Sequence, residues 1–221
     1  MHVSILSRTP NMLRVVWCAA RTCYSSLLPA ELWSSPPPED DMLRLVRKVF
    51  VSRHLSVAEH CSVTYAVSGV SRTLLAQYSR HRIGVSLSVQ SQRHVSPASG
   101  KPGGGLNVVI PLSVSSNRDA LLEYQGEVLN IQHCYERLLR LGIGKEDARF
   151  ILPGGAETNL VTTLNLRSLS DIYEKRVLTR GAQWEIKDLV RTMVLLLVDL
   201  EPWLAEFFPA SPGTGKGTHA P

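Results

Sequence analysis

Apolar and polar positions alternate in some short stretches of the chain and recur at helical spacing in several longer ones. Residues 2–7 (HVSILS) have the apolar content of a strand. Pro10 then opens a helix carrying Val15, Val16 and Ala19, which runs to the polar cluster Arg21-Thr22-Cys23-Tyr24-Ser25. That cluster is either a ligand-facing helix end or an ordinary surface terminus. Pro36-Pro37-Pro38 breaks the chain, and Asp40 or Asp41 is placed to cap the next helix. Met42, Leu45, Val46, Val49 and Phe50 give that helix a core-facing stripe. Residues 61–68 alternate and are β-branched enough for a strand. Gly69 reads as a turn into a helix over 71–82, on which Gln77 and Arg80 share a face.

The second half reads similarly. Residues 107–113 (NVVIPLS) form a strand whose proline sets it at an edge or a strand end. Asn117 caps a long helix over 118–141, with Leu121, Leu122, Tyr124, Val128, Ile131, Tyr135, Leu138 and Leu139 as its apolar stripe. Gly142 and Gly144 end it. A short helix or turn over 145–150 precedes a strand over 158–164. The helix over 165–177 puts Asn165 and Arg176 on one face, close to three turns apart, with Leu169 and Ile172 between them. Arg167 and Asp171 either pair on the other face or serve a ligand. Residues 182–200 form an amphipathic helix for the core or a subunit interface. Residues 96–105 (SPASGKPGGG) read as a flexible loop and 211–221 as a disordered tail. No internal repeat is present.

Composition narrows the class. A chain of 221 residues with 44% hydrophobic content is globular and sized for one domain. No apolar run approaches membrane-spanning length, and the N-terminus lacks the order of a secretory signal. Cys18, Cys23, Cys61 and Cys134 show no CxxC spacing, which fits a reduced cytoplasmic setting and suggests no zinc site. The net charge of +5 suits anionic ligands.

The chemistry concentrates in residues 79–95, SRHRIGVSLSVQSQRHV. Three arginines, two histidines and several serines stand there without an acidic residue. Unpaired cations are poor core material, and arginine forks with serine hydroxyls suit an anion site. A solvated basic loop is the alternative. In residues 52–60 (SRHLSVAEH), His54, Glu59 and His60 lack metal-ligand spacing. They read as structural polar groups or contacts to an organic ligand.

Several motifs in order resemble those of the flavin-dependent thymidylate synthases, over roughly residues 1–208. The strongest is Arg80-His81-Arg82 followed by Ser91-Gln92-Arg93, preceded by Ser71-Arg72 and Gln77. Upstream, Ala19-Ala20-Arg21-Thr22-Cys23-Tyr24-Ser25 and His54-x-Ser56-x-x-Glu59-His60 match the family's early blocks. Downstream, Asp147-Ala148-Arg149-Phe150-Ile151-Leu152-Pro153, Asn165-Leu166-Arg167-Ser168-Leu169 and Ala182-Gln183-Trp184-Glu185-Ile186 match later ones.

The resemblance implies an α+β fold, a twisted, largely antiparallel sheet flanked by helices, in a homotetramer whose active sites draw on more than one subunit. It implies reductive methylation of dUMP to dTMP. Methylenetetrahydrofolate is the carbon donor, FAD mediates hydride transfer and NADPH is the reductant. It assigns Gln77, Arg80, Ser91, Arg93, Arg149 and Arg176 to dUMP. It assigns His54, Ser56, Glu59, Arg80, His81, Arg82, Ile83, Asn165, Arg167 and Asp171 to FAD. The catalytic expectations are Arg176, which polarises the uracil, and Ser91, which stands at the nucleotide but has no adjacent base in sequence and reads as a ligand contact. No cysteine nucleophile is implied.

The chain departs from the family pattern in places. The spacing from Arg82 to Ser91 is one residue longer than the usual form. Val89 stands where a Glu or Gln usually precedes the serine by two, with Gln90 next door. His94 replaces a common Tyr, Asp171 a frequent Asn or His, and a longer link to Ala182 makes Lys175 a rival of Arg176. Competing readings are a flavoprotein with altered nucleotide chemistry, a basic nucleic-acid-binding protein and a structural helical subunit. An aromatic share of 6% and the lack of an RNA-binding signature argue against nucleic acid.

Overall fold

The computed structural model describes residues 1–95 and 105–209. Four strands, β1 (His2–Arg8), β2 (Ser62–Ser71), β3 (Val85–Val89) and β4 (Glu157–Asn165), form one antiparallel sheet in the order β1-β2-β4-β3. The helices are α1 (Met12–Thr22), α2 (Pro29–Ser34), α3 (Glu39–Val51), α4 (Arg72–Tyr78), α5 (Leu112–Ser115), α6 (Arg118–Arg140), α7 (Lys145–Ala148), α8 (Leu166–Tyr173) and α9 (Trp184–Leu200). The fold is therefore α+β. The expected loop over 96–105 falls almost wholly, and the tail over 211–221 wholly, outside the described residues.

The chain divides into two compact units. The first comprises Met1–His2, Val67–Arg80 and Ser88–Leu160; the second comprises Val3–Ala66, His81–Leu87 and Val161–Pro221. In the second unit, α1 buries Met12, Val16, Trp17 and Ala20, and packs on α3 and on the short 3-10 helix Leu55–His60. There α9 buries Ile186, Leu189, Val190, Met193, Val194 and Leu197, a stripe at helical spacing. Each such side chain contributes roughly 1.5–3 kcal/mol on burial. The Tyr65 hydroxyl donates to the Met193 carbonyl at 3.0 Å, so its polar tip is satisfied. In the first unit, Asn117 caps α6 by accepting from the backbone N–H groups of Asp119 and Ala120, a contact of about 1 kcal/mol. Within the chain α6 buries only Gln132 and Tyr135; Leu122 and Leu129 stand exposed.

Several local expectations change. Alternation in β2 buries Val63, Tyr65 and Val67, then slips one residue to bury Val70. Gly69 sits at the slip with φ +68°, so it is a phase change inside the strand rather than a turn. The helix that follows ends at Tyr78, not near Arg82, and Arg80 lies in the turn beyond it. Residues 107–113 form no strand: Val108 makes an isolated bridge to Ala156, and Pro111 precedes α5. The N-cap of α3 is Pro38, with Asp40 and Asp41 in the first turn, and neither carboxylate caps. Pro29 at the first helical position starts α2, which the hydrophobic pattern did not reveal because its apolar stretch is so short.

Candidate active site

Gln77, Arg80, Ser91, Arg93 and Arg149 all fall in the first unit. At the end of β3, the Gln90 N–H donates to the Asn159 carbonyl at 2.8 Å. A tight turn follows, in which the Ser91 carbonyl accepts from His94 and Val95, and the Ser91 Oγ accepts from the Arg93 N–H at 3.2 Å. Among the described residues no histidine or carboxylate bonds that hydroxyl. Its geometry is that of a turn former and not of an activated nucleophile.

Glu146 brings two of the arginines together. Its carboxylate pairs with Arg93 at 3.0 Å, and its backbone carbonyl accepts from the Arg149 Nε at 3.0 Å. The early end of α7 puts Arg149 in the 3-10 turn Arg149–Ile151, within reach of that carbonyl. Arg72 joins them. One of its terminal nitrogens donates to the Gln90 carbonyl at 2.8 Å, while its Nε is buried without a partner. Burial, and then the Arg149 guanidinium, press the Arg72 pKa below its usual value. An open cleft is lined by Arg72, Gln90, Ser91, Asn107, Glu157 and Asn159, among others. Arg72 belongs to the Ser71-Arg72 motif, for which the family resemblance implies no specific role. Asn159 carried no sequence signal, yet its side-chain amide donates to the Gln90 Oε1 at 3.0 Å and accepts from the Gly69 N–H. Gln90, the neighbour of the anomalous Val89, thus has its side-chain carbonyl tied to the strand.

His54, Ser56, Glu59, His81, Arg82, Ile83, Asn165, Arg167, Asp171 and Arg176 fall in the second unit. The segment between Arg82 and β3 is clamped on the start of α8. Asn165 caps α8 by accepting from the Ser168 N–H at 2.8 Å, the Ser168 hydroxyl donates to the Ile83 carbonyl at 2.7 Å, and the Asn165 N–H reaches the Gly84 carbonyl at 3.2 Å. Gly84 has φ +63°, and a Cβ there would fall 2.5 Å from the Asn165 Nδ2. No other residue fits that approach without displacement. The clamp leaves the Ile83 side chain 92% exposed, beside an exposed Arg82.

Arg167 pairs with Glu59 rather than with Asp171, joining α8 to the 3-10 helix that carries Ser56. His54 and Ser56 are exposed, and His54 follows Arg53, a non-glycine residue at φ +60° where α3 ends. The helix expected over 165–177 is not regular. It widens into a π-turn over Glu174–Leu178, which re-aims Arg176 relative to Asn165. Arg176 is half-buried, with its Nε donating to His81 Nε2 at 2.9 Å, whereas Lys175 is exposed. Among the described residues no group of histidine, cysteine and carboxylate side chains could hold a metal, and no helix is long and apolar enough to cross a membrane.

Comparison with known proteins places these features in context. Residues 4–203 match the family model described as Thymidylate synthase complementing protein. The chain is 36% identical to the flavin-dependent thymidylate synthase of Geobacter sulfurreducens, covering 98% of this chain and 90% of the relative. It is 32% identical to that of Halobacterium salinarum over the full length of both. Among solved structures, a flavin-dependent thymidylate synthase from Helicobacter pylori complexed with FAD and dUMP superposes with a TM-score of 0.74 and 26% identity. The match covers 94% of this chain and 99% of that one.

Proposed function

We propose a division of labour for this chain, which belongs to the flavin-dependent thymidylate synthase family: its first unit grips the nucleotide phosphate and its second holds the flavin. The enzyme methylates dUMP reductively to dTMP. Methylenetetrahydrofolate is the carbon donor and NADPH the reductant. FAD, when bound, supplies the hydride transfer.

The observation that carries the reading is the Glu146-centred cluster. Arg93 and Arg149 are drawn to one glutamate, and Arg72 keeps a buried Nε without a partner. A dianionic phosphate would satisfy that donor and relieve the repulsion between Arg72 and Arg149. Ser91, at the same cleft, completes the oxygen contacts. Gln77, on α4, and Arg80, in the turn beyond it, are the remaining contacts of this unit that the family resemblance assigns to the nucleotide. Arg176 polarises the uracil, stabilising negative charge as C5 becomes nucleophilic.

The second unit suits FAD by the chemistry of its donors. A flavin dinucleotide needs an apolar surface for its ring and cations for its diphosphate. Ile83 is exposed beside Arg82 on a clamped loop, with Arg167, His54, Ser56, Glu59, Asn165 and Asp171 on the elements that carry the clamp or pair with it. Arg80 and His81 belong to the same signature. Self-association as a homotetramer accounts for the exposed Leu122 and Leu129 on α6. Unpaired cysteines suit a reduced, cytoplasmic compartment.

The test is dTMP formation from dUMP with FAD, NADPH and methylenetetrahydrofolate under low oxygen. Wild-type protein should form product. Arg149→Ala and Arg72→Ala should each weaken dUMP binding by about 10–100-fold, the loss of a charge-assisted contact, while flavin stays bound. A folded protein that binds and reduces flavin but makes no dTMP would instead be a flavoprotein with altered nucleotide chemistry, a reading that the valine at position 89 favours.

A further inference from the structure

His81 is the middle residue of the Arg80-His81-Arg82 signature, and its ring makes a contact that the flavin assignment does not require. The Arg176 Nε donates to His81 Nε2 at 2.9 Å, in a part-buried position. A guanidinium cannot accept a hydrogen bond, so the imidazole nitrogen must. The ring is then neutral, with its proton on Nδ1.

Both ends of this contact are fixed. On the His81 side, the Ser168 hydroxyl holds the Ile83 carbonyl and the Asn165 N–H holds the Gly84 carbonyl. On the Arg176 side, the Thr179 N–H and hydroxyl both bond to the Glu174 carbonyl and close the π-turn, while the adjacent Val177 is buried. A planar guanidinium caught at Nε has its plane set, because the donor lies in that plane. Its terminal amino groups then form a fork of defined direction. Lys175, one residue away, is exposed, and an ammonium has no equivalent in-plane donor.

We infer that His81, as the Nδ1–H tautomer, is a positioning residue that sets the guanidinium plane of Arg176 for the uracil of the substrate. The inference rests on the assignment of Arg176 to the uracil proposed above. It gives the signature histidine a task toward the nucleotide separate from any contact with the flavin.

Nitrogen-15 shifts of His81 in wild-type protein, at about pH 8 where the free ring is neutral, test the contact directly. An unprotonated Nε2 and a protonated Nδ1 are expected; the opposite tautomer overturns the inference. The functional arm uses dUMP dissociation constants of FAD-loaded enzyme, which stay readable when turnover is lost. His81→Leu should weaken dUMP by about 10-fold or more, the loss of one charge-assisted hydrogen bond. His81→Gln, whose Oε1 reaches about the place of Nε2, should recover to within about 3-fold. In an Arg176→Lys background, His81→Leu should cost nothing further, since coupled residues are not additive. Equal losses in both backgrounds, or a glutamine no better than leucine, would show that His81 acts elsewhere. If wild-type protein makes no dTMP, the functional reading fails, while the nitrogen shifts still decide whether His81 holds Arg176.

Discussion

The Cys61 thiol is fully buried, donates weakly to the Met12 carbonyl at 3.6 Å, and has its pKa pushed up to about 12 by burial and then by the Glu201 carboxylate. A thiol in that state is a packing group and not a nucleophile. Iodoacetamide at about pH 8 should therefore modify exposed Cys23 in the native protein and reach Cys61 only after unfolding; rapid native labelling of Cys61 would contradict this burial. The shift also has a thermodynamic sign. A folded pKa above the unfolded value of 9.0 means that the contribution is whole below about pH 9 and is lost as pH rises toward about 12. Arg72 shows the opposite use of burial. Its pKa is lowered by burial and by a neighbouring cation, a cost that suits a group awaiting an anion.

Elements were readable from the sequence where one face repeats. The apolar stripe of α9, the Asn117 cap of α6 and the alternation of β4 all depend on neighbours within a few positions. The misses have a different cause. The π-turn at Glu174–Leu178 and the phase slip at Gly69 keep local composition while changing direction. Gly84 is the position where an element depends most sharply on one residue. Gly84→Ala combines a left-handed backbone with a Cβ driven into Asn165 and Ser168. Strain alone costs about 1–2 kcal/mol. The variant should show a lower urea midpoint and weaker FAD retention, with dUMP affinity of the remaining holoenzyme less affected. Unchanged flavin retention would detach Gly84 from the flavin-holding loop.

At the scale of the whole molecule, most of the proposed nucleotide contacts fall in one compact unit and most of the proposed flavin contacts in the other. Gln77, Arg80, Ser91, Arg93 and Arg149 lie in the first, and the proposed flavin contacts other than Arg80 lie in the second with Arg176. The long helix α6 matched its predicted span almost to the residue, yet much of its apolar stripe is only half covered within one chain. A helix of that kind needs a partner surface. Sedimentation equilibrium should give a mass about four times the 24.4 kDa chain; a monomer at micromolar concentration would remove the homotetramer from the proposed function.

The basic, serine-rich chemistry of residues 79–95, the family resemblance and most element types are legible in the chain before it folds. Such properties reside in residue identity and short-range periodicity. Tertiary structure alone decided which distant groups meet. It set the strand order β1-β2-β4-β3, gathered Arg93 and Arg149 on Glu146, gave Arg167 to Glu59 instead of Asp171, and turned Arg176 onto His81. The physical reason is that a charged side chain has many eligible partners along a chain, and only packing fixes which one lies within hydrogen-bonding distance.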